Sequence, residues 1–288
     1  MKILVTGASG FIGSQFCKYH SSVFEPIALV RNSSLPIENT RYYDGSYDSL
    51  CQALEDIDIV LHLATYYTAE HKPDDIHKII DANISFGAHL LEAMKERKVK
   101  KLINIGTTWQ YYMGDDHRYA NLYAASKQAF QEFVNWYVDS QGFSVINLHL
   151  NDTYGEEDTR KKLLQLLIEC AVTGRALDMS PGEQQFETCY IRDVIQGIEI
   201  ALEIINDSPS HYNETYSLLS GNNHTLKKLV SIVESITNEK ISIHWGARPY
   251  RNREVMEIPY NCYKILPGWQ PKISIYDGIE ILFKKYKV

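Results

Sequence analysis

The chain has 288 residues, of which 44% are hydrophobic and 23% charged, and its formal net charge is −7. That balance is ordinary for a soluble globular protein with a substantial core. It argues against an electrostatic nucleic-acid surface, and no apolar run reaches membrane-spanning length. The five cysteines are scattered and lack CxxC spacing, so neither a disulfide framework nor a metal site is expected, and a reducing cytoplasm fits best. The opening run is broken by Gly7 too early to be a signal peptide. No stretch has the composition of a flexible linker, and no repeat is present.

Lys2 to Thr6 reads as a buried parallel strand, a short apolar run ended by glycine. Gly7, Gly10 and Gly13 follow. Gly7 permits a tight turn, Gly10 lets backbone approach a pyrophosphate, and Gly13 lets the next helix lie close to the sheet. A helix starting near Phe11 would aim its positive end at phosphates. Gly7, Ser9, Gly10, Phe11, Ile12 and Gly13 are therefore candidate cofactor residues. The spacing is GxxGxxG, not GxGxxG, and the plain alternative is a glycine-rich strand–helix turn.

Pro26 to Val30 forms the next strand. An acidic residue at its end would select NAD through the ribose hydroxyls. No Asp or Glu lies between Ile27 and Leu35; Arg31 stands there, followed by Asn32, Ser33 and Ser34. A guanidinium suits a 2′-phosphate, which favours NADP(H) with NAD(H) as the alternative, or it is a solvated loop residue. A third strand, Asp58 to Leu63, ends in Ala64 and Thr65. Leu63, Ala64 and Thr65 are candidates for passing the nicotinamide side of the cofactor close to backbone. His62, between two leucines, reads as a packed strand histidine. Asp74 to Arg97 has helical periodicity, with Asn83 as a polar residue on an apolar stretch. Asn83 is a further cofactor-side candidate; it could also organise a buried water or the catalytic strand, or simply cap a local polar contact.

Lys101 to Gly106 is another strand, ending at Thr107, Thr108 and Trp109. A helix is predicted from Tyr119 to Gln141. It places Tyr123 and Lys127 four residues apart on one face. An ammonium beside a phenol lowers the phenol's pKa and makes it a usable proton donor or acceptor. Thr107 at the strand end would bond the substrate oxygen at the same point. Thr159 to Leu167 begins a helix with three bases at its start, opposing the helix dipole unless a phosphate-bearing ligand or solvent offsets them. Gln185 to Ile191 reads as a strand and Asp193 to Ile205 as a helix, with Asp193 as its N-cap. Arg248, Arg251 and Arg253 form a basic loop that Glu254 could neutralise.

The glycine turn, Thr107 and Tyr123-x-x-x-Lys127 occur in an order that resembles the extended short-chain dehydrogenases/reductases of the nucleotide-sugar epimerase/dehydratase/reductase group. Val60 to Ala64, Asn83 within Ala82 to Gly87, Thr153-Tyr154-Gly155, Tyr190 to Val194 and Leu266 to Trp269 support this over essentially the whole chain. Gly106 to Gln110, Asn121 to Phe130 and Met179 to Gln184 look most like the CDP-abequose synthase-type 4-ketoreductases. The resemblance implies an α/β fold, a Rossmann-type doubly wound parallel sheet with a smaller, interwoven C-terminal substrate-binding lobe. Residues 1–150 would form the dinucleotide lobe with 185–210 returning to it, and 151–184 and 211–288 mainly the substrate lobe. It also implies Tyr123, Lys127 and Thr107 as catalytic residues, a nucleotide-linked sugar as substrate, and a homodimer built on the helices 74–97 and 119–141. Thr108, Trp109, Asp152 and Arg251 become substrate candidates, Arg251 for the diphosphate.

Three departures narrow the reaction. The family's dehydratases carry an acidic pair where Thr108 and Trp109 stand. Its NAD-retaining epimerases show an acidic residue where Arg31 is found. His149 and Asp152 replace the usual Arg and Asn. The reading is an NADPH-dependent reductase of a nucleotide-linked 4-keto-6-deoxysugar in deoxysugar or polysaccharide biosynthesis. The alternatives are a nucleotide-sugar 4-epimerase with tightly bound NAD(P), and a non-catalytic dinucleotide-binding regulator.

Overall fold

A computed structural model of the chain describes residues 1–19, 23–31 and 39–286; Asn32, Ser33 and Ser34 lie outside them. Strand β1 (Lys2–Thr6) runs through the glycine turn into α1 (Phe11–Tyr19), and β2 (Glu25–Val30) follows. Next come β3 (Thr40–Tyr42) and α2 (Tyr47–Ala53). Neither has a counterpart among the predicted elements, because both are too short to show a periodic pattern. Ser46 starts α2 by accepting the Ser49 N–H at 3.1 Å.

Strand β4 (Ile59–His62) leads to a helical stretch that is not uniform. It comprises α3 (Ile76–Ile80), a π turn over Asp81–Ser85, and α4 (Phe86–Glu96). The single helix expected from Asp74 to Arg97 is thus interrupted at Asn83. Strand β5 (Lys101–Thr107) precedes α5 (Leu122–Gln141), which begins at Leu122 because Asn121 caps it, accepting the Ala124 N–H at 2.9 Å. Then come β6 (Ser144–Leu150), β7 (Asp152–Tyr154), α6 (Leu163–Thr173) and β8 (Leu177–Met179). The chain finishes with β9 (Gln185–Tyr190), α7 (Ile191–Asn206), β10 (Asn213–Ser217), β11 (Asn223–Thr225), α8 (Leu226–Thr237), β12 (Ile243–Trp245) and α9 (Ile275–Lys284).

Seven strands form one parallel sheet in the order β10-β6-β5-β4-β1-β2-β3. Its strands read as near-continuous apolar runs because helices cover both faces. Ile3 and Val5 pack into one core cluster with α7, while Leu4, Val60 and Leu102 pack into the other with α4 and α5. The order reverses between β1 and β4, which opens a crevice at their carboxyl ends. The Rossmann-type expectation holds. β9 instead sits between β11 and β7 in a small second sheet, so the return to the main sheet begins with α7. β10, expected in the smaller lobe, is the outer strand of the main sheet.

One row of the main sheet is polar. Thr6, His62, Asn104, Asn147 and Thr215 stand in register on five neighbouring strands. Thr6 Oγ1 meets His62 Nδ1 at 2.8 Å, and Asn104 Nδ2 donates to Asn147 Oδ1 at 2.9 Å. Asn147 in turn donates to Asn213 at 3.2 Å.

Asp193 is not the N-cap of α7; Tyr190 holds that position. Asp193 is buried in the first turn, and its two carboxylate oxygens accept the N–H groups of Lys272 and Ile273 at 3.0 Å each. It fastens the segment before α9 to α7. Hydrogen bonds to a charged acceptor contribute about 1.5–3 kcal/mol each. We expect Asp193→Ala to lower unfolding stability by about 3 kcal/mol in urea titration. A loss under about 1 kcal/mol would mean that neither bond matters.

Candidate active site

The glycine turn is shaped by close approach. Gly7 has φ +69°, and a Cβ there would lie 2.7 Å from the Ala64 nitrogen. A Cβ on Gly13 would strike the Gly7 carbonyl. Gly10 faces open space apart from Gly7, so its backbone is presented bare. Thr6 Oγ1 accepts the N–H groups of Leu63 and Ala64 at 3.2 Å, fixing the chain that leaves β4. A cleft of about 1400 Å³ opens here. Its wall includes Gly7, Ser9, Gly10, Phe11, Ile12, Gly13, Leu63, Ala64, Thr65, Thr107, Trp109, Tyr123 and Lys127. Bare backbone at the start of α1 suits the pyrophosphate of a dinucleotide, and the cleft runs far enough to take one.

Arg31 lies at the outer end of that wall, exposed. The same wall includes Asp44, a carboxylate from the stretch that follows β3. A search confined to the end of β2 could not find it. Asp44 is held by the Ser46 N–H at 2.8 Å.

Lys127 is buried in the cleft wall and Tyr123 is half-buried there. Burial, and secondarily the Tyr67 phenol, push the Tyr123 hydroxyl up, while hydrogen bonding to Thr65 and the charge of Arg160 pull it down. Burial pulls Lys127 down to about 8. The phenol is therefore held in its protonated form, opposite to the lowering expected from a neighbouring ammonium. Thr107 ends β5; its Oγ1 accepts the Trp109 N–H at 3.3 Å, which leaves its own hydrogen for another acceptor.

Two residues expected in the wall stand behind it. Asn83 is buried in the π turn. Its oxygen accepts from Thr65 Oγ1 (2.9 Å) and Tyr66 N (2.7 Å), and its nitrogen donates to Tyr66 O (3.0 Å) and Ser126 Oγ (2.9 Å). It positions the cleft wall rather than forming it. Thr108 is also buried; its carbonyl accepts from the Tyr263 hydroxyl at 2.9 Å. The turn it begins points Trp109, not Thr108, into the cleft.

Sequence reasoning missed Gln110 and Tyr67. Gln110 is buried and accepts the Thr107 N–H at 2.9 Å, while its nitrogen donates to Gln128 (2.8 Å) and Gln131 (3.1 Å). Those two lie on α5, so Gln110 sets the spacing between Thr107 and the helix that carries Tyr123. Tyr67 packs edge-on to Tyr123 with centroids 5.0 Å apart. The Lys162 ammonium stands 4.7 Å from the Tyr67 ring centre. Tyr67 is one of 20 tyrosines, and Gln110, though it ends the Gly106 to Gln110 segment, carries no sign in the sequence of the partners it meets on α5.

A second pocket of about 300 Å³ adjoins the cleft and shares Tyr67, Trp109, Asn151, Asp152 and Lys162 with it. Asp152 is there, paired with Lys162 at 3.1 Å. The bases expected at the start of α6 precede it: Lys162 is its N-cap, and Arg160 and Lys161 lie before that. Arg251 lines the smaller pocket. Glu254 accepts the Arg251 backbone N–H at 3.2 Å, and Arg253 instead donates to the Tyr119 carbonyl at 2.7 Å. His149 is buried on β6, with its Nε2 3.5 Å from Gln131.

A model of the NAD dependent epimerase/dehydratase family matches residues 3–214. The chain is 31% identical to a CDP-abequose synthase of Yersinia pseudotuberculosis, over 92% of this chain and 94% of that protein. It is 29% identical to a CDP-abequose synthase of Salmonella muenchen, over 97% and 96%. A UDP-glucose 4-epimerase of Thermus thermophilus, solved in complex with NAD, has the same fold with a TM-score of 0.81 at 21% identity, over 100% of this chain and 99% of that one.

Burial, and then the Lys127 charge, hold His62 and His149 at about 3, against an ordinary 6.5. Both are neutral in the fold, whereas the unfolded chain takes up protons below 6.5. Stability is thus complete above 6.5 and is lost as pH falls toward 3. We expect His149→Gln to flatten the fall in unfolding free energy below pH 6 by up to about 1.4 kcal/mol per pH unit, one proton's worth. Denaturant titrations at several pH values would show it, and parallel wild-type and variant slopes would refute it.

Proposed function

The chain belongs to the NAD dependent epimerase/dehydratase family, and we propose that within it this protein is an NADPH-dependent reductase of a nucleotide-linked 4-keto-6-deoxysugar. The observation that carries this reading is the company Thr107 keeps. It shares a cleft wall with Tyr123 and Lys127, yet the next two residues, Thr108 and Trp109, offer no carboxylate. A proton donor for a ketone oxygen is present, while the acid–base pair for removing water is absent from those positions. The names of the two bacterial relatives support a CDP-linked sugar as the first substrate to try.

The bound cofactor would supply hydride to the carbonyl carbon. Tyr123 gives its proton to the oxygen that becomes an alkoxide. Its raised pKa keeps that proton in place until the oxygen's basicity rises. Thr107 donates its hydroxyl hydrogen to the same oxygen and orients it. Lys127 holds the nicotinamide ribose and balances the negative charge developing on the phenol. Asn83, Ser126 and Gln110 keep these groups in place. Arg31 at the outer end suits a 2′-phosphate.

A second reading, a 4-epimerase that retains NAD, draws on Asp44. A carboxylate on the same wall as Arg31 suits free ribose hydroxyls better than a phosphate. The two readings separate in one assay: a reductase oxidises NADPH stoichiometrically with a nucleotide-4-keto-6-deoxysugar, and an epimerase shows no net change. Under the first reading, Tyr123→Phe keeps cofactor affinity within about twofold and lowers kcat by about 100-fold or more. Turnover close to wild type in that variant would sink the mechanism.

The same reading includes a homodimer. Phe133 and Trp136 on α5 are 45% and 55% exposed, and Ile76 and Ile80 on α3 are exposed as well. Apolar side chains on adjoining helices suit a second copy. Light scattering coupled to size exclusion should give twice the chain mass, and Trp136→Glu should shift it to one. A wild-type monomer at micromolar concentration would remove the dimer from the proposal.

A further inference from the structure

Residues 155–162, between β7 and α6, run along the cleft wall and are tied to the glycine-turn side of the molecule. Glu157 accepts from Gln15 (3.0 Å) and Lys18 (2.7 Å), both on α1. Within the segment Asp158 has no exposed side-chain surface. Its carboxylate accepts the backbone N–H of Arg160 at 3.0 Å, and also Arg160 Nε at 2.7 Å and Nη2 at 2.8 Å. Arg160 Nη2 donates as well to the Thr153 carbonyl at 2.8 Å. The guanidinium carbon lies 4.5 Å from the centre of the Phe11 ring. Phe11 is the first residue of α1. Arg160 Nη1 has no hydrogen-bond partner among the described residues, and Arg160 lines the cleft with Gly10 and Tyr123.

A planar cation is thus locked by a buried carboxylate and stacked on the residue that opens the helix. One edge of it remains unbonded beside a helix N-terminus, where negative charge is favoured. Solvation alone would not require that double anchoring. We propose that Arg160 is a ligand of the cofactor pyrophosphate, donating from Nη1, and that Asp158 is the residue that positions it. The inference rests on reading the glycine turn as the dinucleotide site. It goes beyond that reading by assigning a phosphate-binding side chain from the segment between β7 and α6. The charge of Arg160 also acts on the Tyr123 phenol, so one residue would serve both the cofactor and the proton donor.

The test is calorimetric titration of the full chain with NADPH, NADH and ADP-ribose, which share the pyrophosphate, and with adenosine, which lacks it. Loss of a charge-assisted phosphate contact is expected to weaken the first three by about tenfold in Arg160→Gln, by a similar factor for each, and to leave adenosine unchanged. Arg160→Lys keeps the charge and should lose about threefold, which carries the test if the glutamine variant melts early. ADP-ribose binding as tight in both variants as in wild type overturns the proposal while leaving the glycine-turn reading intact. Failure of wild type to bind ADP-ribose, NADH or NADPH at all overturns both.

Discussion

The close approach of three backbone segments governs the site. No side chain fits at Gly7 or Gly13, so the end of β1, the start of α1 and the chain leaving β4 touch through their main chains. Main-chain contact of this kind leaves the residues just beyond β4 little freedom. Thr65 and Tyr66 reach Asn83, Asn83 donates to Ser126, and Ser126 donates to the Tyr123 carbonyl at 2.7 Å. An unbroken run of hydrogen bonds therefore connects the wall beside the glycine turn to the residue proposed to move a proton. The π turn is part of this run, because it carries Asn83. A local departure from regular helix is common at functional positions for this kind of reason.

Burial then divides the labour between Tyr123 and Lys127. It acts against the charged form of each, raising the phenol and lowering the ammonium. A lysine four residues away would, in water, be thought of mainly as an activator of phenolate. In a buried wall the desolvation effect is larger, and the resting phenol keeps its proton. That state is the one the proposed ketone reduction requires of its proton donor.

Much of this was legible in the sequence because it depends on short-range pattern. Glycines three apart after an apolar run foretold the β1–α1 turn, and a spacing of four put Tyr123 and Lys127 on one helical face. What could not be read depends on contacts between distant segments. Gln110 has meaning only once α5 places Gln128 and Gln131 against it. Asp44 reaches the outer end of the cleft through β3, a strand of three residues without periodicity. Asp193 looked like a helix cap because its residue type fits one; its acceptors are used instead by Lys272 and Ile273, some eighty positions later. Thr108 is buried while Trp109 lines the cleft, because a strand end predicts where the main chain stops, not which side chain of the next turn faces the opening.

The polar row across the main sheet has a consequence for assembly of the fold. Parallel strands buried on both faces are nearly interchangeable along their length, since one aliphatic neighbour serves about as well as the next. Thr6, His62, Asn104, Asn147 and Thr215 are not interchangeable. Sliding β1 past β4 would part Thr6 from His62, and sliding β5 past β6 would part Asn104 from Asn147, each leaving a buried polar group without its bond at a cost above that of a misplaced valine. The row thus acts as a vernier, whose marks coincide at a single alignment. A variant carrying valine or leucine at all five places could gain cohesion and still lose the one alignment that brings Gly7, Thr65 and Thr107 to a common edge.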